Sequence, residues 1–302
     1  MCQERKRAQV QGRLIRAVAP CDKLSNIIFE FPPEVYAEII QKGEKCGCVE
    51  KRGNKQVTTP YYLTPAEEYA DLTPLNPFDR VILYTAISAY EQGYQFLSFK
   101  MMLSAMTGGG KSRICSEQYK AIKAAVQRLM TVIRINLKPL LNAFPKYRKH
   151  YVGESELISP ILPCKIFDME INGQKTLAIE LLAESPLMTV AKLKKQLLTY
   201  DLTPLAVPNQ HNTPQVIVIK DYLLRRIKLM QSSTRKHGLS NTILFETLYQ
   251  NCGLADADKW QKQDVRKVVS ETLNHFKSVG VIKDFSIMRQ GNTYRSIKIF
   301  NV

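Results

Sequence analysis

No apolar run in the 302 residues approaches the ~18 that a membrane-spanning helix needs, so no span is expected. The N-terminal stretch MCQERKRAQVQGRL has charges but no apolar segment behind them, which argues against a secretory signal. Histidine is scarce. His150, His211, His237 and His275 stand alone, so the His-hydrophobe-His pair of a rolling-circle nickase is missing. Arg235-Lys-His237-Gly is a poor match to the cluster that precedes the nucleophile of a tyrosine recombinase, and Tyr294 falls on a predicted wing. Neither a Ser/His/Asp set nor a carboxylate metal set follows from spacing, so no catalytic residue is assigned and an enzyme is not expected. The seven cysteines, at 2, 21, 46, 48, 115, 164 and 252, are odd in number and scattered. That usage fits a reducing cytoplasm better than a disulfide scaffold. Cys46-Gly-Cys48 lacks both the gap and the second pair of a structural zinc site, so its cysteines read as ordinary thiols. No metal and no cofactor are expected.

Acidic side chains are also in short supply, 27 Asp+Glu against 43 Lys+Arg, which leaves a net charge of +16. With 45% hydrophobic and 23% charged residues the chain has enough apolar material for a core and is not a disordered polycation. The excess is unevenly placed. Residues 1–76 hold 11 basic and 10 acidic side chains, residues 77–208 hold 17 and 10, and residues 209–302 hold 15 and 7. The positive charge therefore belongs to two folded regions rather than a tail, which favours a phosphate-bearing partner over a membrane surface.

The organisation predicted is an N-terminal extension over 1–74, partly disordered, followed by one domain over 75–208 and a second over 209–302. The extension holds short apolar pieces around Ile27–Phe29 and Val35–Ile40, among prolines and a polar stretch, with little core of its own. From Asn76-Pro-Phe-Asp, a helix start with Asn as cap and Pro in the first turn, the apolar spacing becomes helical through Gly93. A second helix opens at Ser98 and stops at Thr107-Gly-Gly-Gly, and a third begins at Ser116. The alternating segment Thr131–Leu137 reads as a strand. Strands over 161–171 and 175–182 flank Asn172-Gly173, the strongest short hairpin signal. The same order recurs beyond Pro204–Pro214: a helix over Val216–Met230, another from Ser240 through Ile243–Tyr249, and a third from the cap Asp258 to Gly280. A hairpin over Val281–Met288 and Thr293–Phe300 follows. Helix-turn-helix followed by a β-hairpin, twice, predicts an α+β fold of two tandem winged-helix domains.

The segment Gly108–Ser112 with Lys111 fits a relaxed P-loop pattern, but a working P-loop follows a buried strand, and SFKMMLSAM before it is spaced as a helix. It is read as a glycine-rich turn, and a P-loop NTPase is the reading from another functional class, ranked behind DNA binding. A protein that merely holds a solubilising basic face is the bland alternative.

The helical wheel assigns the DNA-binding residues. On the last helix the apolar stripe leaves Gln263, Lys267, Ser270 and Asn274 opposite it, flanked by Lys259, Lys262 and Arg266. Amides pair with adenine, Lys and Arg with guanine, and Ser with either. The hairpin tip contributes Arg289 and Asn292, with Arg295 nearby. On the first unit the matching face is Ser116, Lys120, Lys123 and Gln127, with Lys111 and Arg113 just ahead of the helix. The loop Phe144–Tyr151 adds Lys146, Arg148 and Lys149, beside Tyr147 and Tyr151, which read as packing residues. The cationic groups set affinity and salt dependence, and the amides set sequence preference.

The segments LTPLNPFDRVILYTAISAYEQG, SFKMMLSAMTGGG, SEQYKAIKAAVQRL, VIVIKDYLLRRIKLM, NTILFETLYQNCG and VRKVVSETLNHFKSVGVIKDF resemble replication-initiator-like proteins of Firmicutes plasmids and integrative mobile elements. They also resemble the wider class of tandem winged-helix plasmid initiators. The resemblance covers roughly residues 72–302. It implies that the two units straddle successive major grooves of a repeated origin site, that the protein forms a homodimer through its first unit, and that host replication proteins are recruited. It implies no catalytic residue. A transcriptional regulator of the same element, sharing the fold, is the alternative that the residues leave open.

Overall fold

The described residues up to Phe29 already depart from the expectation of a loose extension. In the computed structural model, which describes residues 13–29, 46–52, 55–64, 74–109, 114–138, 141, 156–171, 174–232, 240–291 and 293–300, strand β1 (Arg16–Pro20) leads into a single helical turn, α1 (Leu24–Ile27). Strands β2 (Cys46–Arg52) and β3 (Lys55–Thr64) follow as an antiparallel pair. Leu14, Ala17, Ala19, Leu24, Ile28, Phe29, Tyr61 and Leu63 are all buried in the main core. This part of the chain is integral to the first unit because its strands find partners far along the sequence. Cys46 and Cys48 fall on β2, and their side chains lie outside the described set.

Helix α2 (Pro77–Glu91) starts where the sequence placed it. The Asn76 side-chain oxygen accepts from the Phe78 and Asp79 amides at 2.9 and 3.2 Å, while the Asp79 carboxylate accepts from the Asn76 amide at 2.9 Å. That reciprocal cap satisfies amides a helix otherwise leaves open. Every residue from Phe78 to Ala89 is buried, so α2 is a central helix rather than a surface one. Next come β4 (Phe96–Ser98), α3 (Phe99–Met106) capped by Ser98, and α4 (Ser116–Arg128). Strands β5 (Val132–Asn136), β6 (Glu156–Pro160), β7 (Cys164–Ile171) and β8 (Gln174–Leu181) complete this stretch. A connector follows, made of α5 (Pro186–Lys194), β9 (Leu197–Asp201), a 3-10 turn (Thr203–Leu205) and the stretch 206–213 that leads to the next helix. The second unit is α6 (Pro214–Gln231), β10 (Thr242–Leu244), α7 (Phe245–Asn251), α8 (Lys259–Ser278), β11 (Asp284–Gln290) and β12 (Thr293–Phe300).

Two sheets repeat one another. One has the order β4-β8-β7 and the other β10-β12-β11, so in each unit a short strand between the first and second helices joins the second strand of the hairpin. Leu97 lies opposite Ile179 and Ile243 opposite Ile297, all four fully buried. These are two winged-helix units in tandem. The helix expected from Ser240 therefore begins later, at Phe245, because Thr242–Leu244 is pinned to β12. In β7 and β8, Ile171 pairs with Gln174, leaving Asn172-Gly173 as a two-residue connection; those two residues lie outside the described set.

The strand after α4 also has a different place from the one expected. Strand β5 belongs to a separate four-stranded antiparallel sheet, β2-β3-β5-β6, in which β5 and β6 lie between α4 and the wing of the first unit while β2 and β3 come from the N-terminal segment. Its alternation was legible, but its partner β3 precedes it by some seventy residues. Strands β1 and β9 pair with each other and tie the N-terminal segment to the connector.

One continuous core runs from Leu14 to Ile299, because α2 packs against α6. Charged groups are enclosed in this seam. Arg225 Nε donates to Asp221 at 2.7 Å, its guanidinium lies 5.2 Å from the centre of the Tyr84 ring, and the Tyr200 hydroxyl donates to Asp221 at 3.4 Å. Burial opposes the Arg225 charge, yet Asp221, Tyr84 and Tyr200 together hold its pKa above the ordinary value. Arg80 bridges the units, donating to the Asn251 carbonyl at 3.0 Å, and burial together with the nearby Arg225 charge lowers its pKa. Within the first unit, Arg128 makes two bonds to Asp79, at 2.8 and 2.7 Å. Burial still raises the Asp79 pKa despite that partner.

Lys220, fully buried on α6, donates to the Leu205 carbonyl at 3.0 Å and to Asn212 at 2.6 Å, clasping the connector. His275 on α8 lies near it. Burial and the Lys220 charge hold that imidazole below its usual pKa, while a hydrogen bond with the Pro204 backbone opposes them.

Two consequences are measurable in denaturant. Asp221→Ala leaves Arg225 uncompensated beside Arg80 and is expected to cost about 3–5 kcal/mol, with Asp221→Asn/Arg225→Met recovering part of it. Burial lowers the Lys220 pKa to about 8 from an ordinary 10.5, so between those values the unfolded chain binds more protons than the folded one. Stability contributed by this group therefore rises with pH across that window, by on the order of 3 kcal/mol at most. Urea unfolding at pH 7.5 and 10 is expected to show that rise in the parent chain relative to Lys220→Met.

Candidate nucleic-acid interface

Helix α8 begins with a reciprocal cap. The Asp258 carboxylate accepts from the Gln261 amide at 2.8 Å, and the Gln261 side chain accepts from the Asp258 amide at 3.0 Å. Its inner stripe, Val265, Val269, Thr272, Leu273 and Phe276, is buried. The helical period then puts Gln263, Lys267 and Asn274 outward and exposed, with Ser270 half-buried among them. Lys259 is exposed, whereas Lys262 and Arg266 are half-buried on the flank that faces the wing. The other flank meets the connector, where Gln210 donates to Glu271 at 3.1 Å and to the Val268 carbonyl at 3.4 Å.

The wing is joined to the helix by an aromatic-cationic cluster. The Arg266 guanidinium lies 4.5 Å from the centre of the Tyr294 ring, and that of Arg289 lies 4.3 Å from it. Arg289 also donates to the Tyr294 hydroxyl at 2.6 Å. Tyr294 meets Phe245 of α7 edge-on at 6.0 Å, and Lys262 lies 5.6 Å from the Tyr249 ring. Arg295, exposed on β12, donates to Gln290 across the hairpin at 2.8 Å. Two cations from different strands and helices thus converge on one ring, which orients them before any ligand arrives. Tyr294 was not among the sequence-derived candidates. Its signal was its place on the second strand of the hairpin, with an arginine next to it. Asn292 lies outside the described residues.

In the first unit Ser116, Lys120 and Lys123 are exposed on α4, and Gln127 is half-buried. The helix buries Ile122, Ala125 and Val126. Tyr119 ties it to the wing: its hydroxyl accepts from the Leu177 amide on β8, and its ring lies 5.2 Å from that of Phe99. Gln118 donates to the Asn212 carbonyl at 2.7 Å, fixing the start of α4 against the connector. Lys111, Arg113, Lys146, Arg148 and Lys149 lie outside the described residues.

Gly108 and Gly109, the described part of the glycine-rich segment, turn the chain at the end of α3. Helix α3, not a strand, precedes it, which is the wrong support for a phosphate-cradling loop. Gly108 has φ +82°, and a Cβ there would stand 2.3 Å from the Ala206 amide nitrogen, so the connector crosses the turn where only glycine fits. Among the described residues no group of three or more His, Cys, Asp or Glu could hold a metal ion, and no helix is long and apolar enough to cross a membrane.

No protein-family model matches the chain, and no curated protein matches it. Among solved structures, the crystal structure of RctB domains 2–3 overlays at a TM-score of 0.41 and 9% identity, covering 85% of this chain and 90% of that one. A selenomethionine derivative of the same domains gives 0.39 at 10% identity, over 85% and 91%. The crystal structure of Pi initiator protein in complex with iteron DNA gives 0.34 at 14% identity, over 95% and 97%. At these TM-scores the winged-helix assignment rests on the chain's own repeated order of helices and strands.

Proposed function

We propose that this chain is a non-enzymatic, sequence-specific double-stranded-DNA-binding protein that starts replication of a plasmid or other mobile element. The observation that carries the reading is the second unit's outward face. Gln263, Lys267, Ser270 and Asn274 stand along one side of α8, while Arg266 and the wing's Arg289 converge on Tyr294 beside it. A helix of this kind enters a major groove, where amide and hydroxyl groups meet base edges, and the wing cations meet phosphates. The first unit offers Ser116, Lys120, Lys123 and Gln127 in the same way. Both units share one core, so they engage neighbouring stretches of a single duplex at a set spacing. Such a protein works in the cytoplasm and relies on host replication proteins for strand opening and synthesis.

Selection of bound duplexes from a random pool, followed by gel-shift titration at several salt concentrations, tests this. Arg289→Ala is expected to weaken binding to all duplexes alike and to make the salt slope shallower by about one. Gln263→Ala is expected to relax the preference at one base pair, worth about 1–3 kcal/mol of discrimination, with little change in slope. Failure to recover any duplex at low salt would overturn the proposal. Repeated selected sites beside the gene, together with autonomous replication of that DNA, distinguish an initiator from a regulator of the same element.

A further inference from the structure

Trp260 is the chain's single tryptophan and the most exposed of its large apolar side chains among the described residues, at 73% against 54% for the next, Ile158. A ring of that size left in water forgoes the burial that most aromatic side chains obtain. Its position is specific. Trp260 is the second residue of α8, three before Gln263 and seven before Lys267, so the helical period sets all three on one outward face. Asp258, an acidic group close to it in sequence, is engaged in capping the helix. Asp264, exposed one turn on, is the one carboxylate on this side of the helix, set among Lys259, Gln263 and Lys267. The ring therefore stands on a surface with more cationic and amide groups than acidic ones, and that combination fits a polyanion with an apolar feature of its own rather than an apolar protein face.

We propose that Trp260 is a specificity-determining residue that reads thymine in the major groove, the indole packing on the 5-methyl group and its Nε1–H donating to O4. This rests on the DNA-binding reading above. The chemistry selects the base. Indole offers an apolar face and one donor but no acceptor. Thymine presents a methyl group beside an acceptor at its groove edge; adenine N7 and guanine N7 and O6 also accept an N–H but have no methyl group beside them, and cytosine presents an amino donor that indole cannot accept. The preference belongs to the second unit alone, because the second residue of α4 is the exposed Glu117.

The probe is the duplex selected from a random pool by the intact chain, made once with thymine and once with deoxyuridine throughout. Loss of the methyl group is expected to weaken binding by the parent chain about fourfold for each methyl contacted. Trp260→Ala, with its helical content checked by circular dichroism, is expected to bind both duplexes equally. Trp260→Phe is expected to keep part of the discrimination, since it retains an apolar ring without the donor. Tryptophan emission of the parent chain is expected to change on titration with the thymine duplex and to saturate with binding. Emission that stays constant while the gel shift proceeds overturns the assignment, as does discrimination that survives in Trp260→Ala. A selected half-site of G·C pairs under the second unit overturns it too. So does an emission change that follows protein concentration without DNA, which would give the ring to a second copy of the chain. If no duplex binds at low salt, the DNA-binding reading itself fails and this one with it.

Discussion

The packing of α2 on α6, with the Asp221–Arg225 pair enclosed between them, is the constraint on which the two-unit arrangement depends. Each helix is the first of its winged-helix unit, so fixing one against the other fixes the relative positions of α4 and α8. An enclosed ion pair is a poor source of net stability, since desolvation offsets most of its attraction. It is a strong source of geometry. Arg225 is satisfied only when Asp221, Tyr84 and Tyr200 stand around it, and these come from α6, α2 and β9. Arg80 adds a bond from the first unit to the Asn251 carbonyl at the end of α7. A slipped seam would leave these groups buried without their partners.

The connector is held to both sides of that seam. Lys220 clasps it from α6, Gln118 from α4, and Gln210 binds α8 in turn. The N-terminal strand β1 closes it from outside through β9. A stretch of chain that only had to link two domains instead contacts both α4 and α8. The basic charge, which composition gave as a single sum, is accordingly carried by two units held against one another in one core.

Much of the architecture was legible because it depends on local chemistry. The caps at Asn76, Ser98 and Asp258 were readable from residue type, since a side-chain oxygen at a helix start serves amides two or three residues on. The outward face of α8 followed from period alone, and Gln263, Lys267 and Asn274 are exposed as the wheel required. The short strands β4 and β10 were not readable. Phe96–Ser98 and Thr242–Leu244 run directly into helices, and their strand character comes only from partners about eighty and fifty-five residues away. Tyr294 was passed over for the same reason: what joins it to the outward side of α8 is the meeting of Arg266 and Arg289 on its ring.

From the sequence by itself came the helix starts at Asn76, Ser98 and Asp258, the hairpins, the division of charge and the duplicated order of elements. Each follows from interactions within a few residues, or from sums over them. The tertiary structure alone decided that residues from the first 74 belong to the core and that β5 joins a sheet apart from the wing. It also decided that Arg128 serves Asp79 within the first unit and that the two units share one interior. Those outcomes rest on pairings between residues far apart in the chain, where nothing local marks the partner. Burial then selects among the possible pairings, because an enclosed charge or an unpaired strand edge costs more than any local preference can offset.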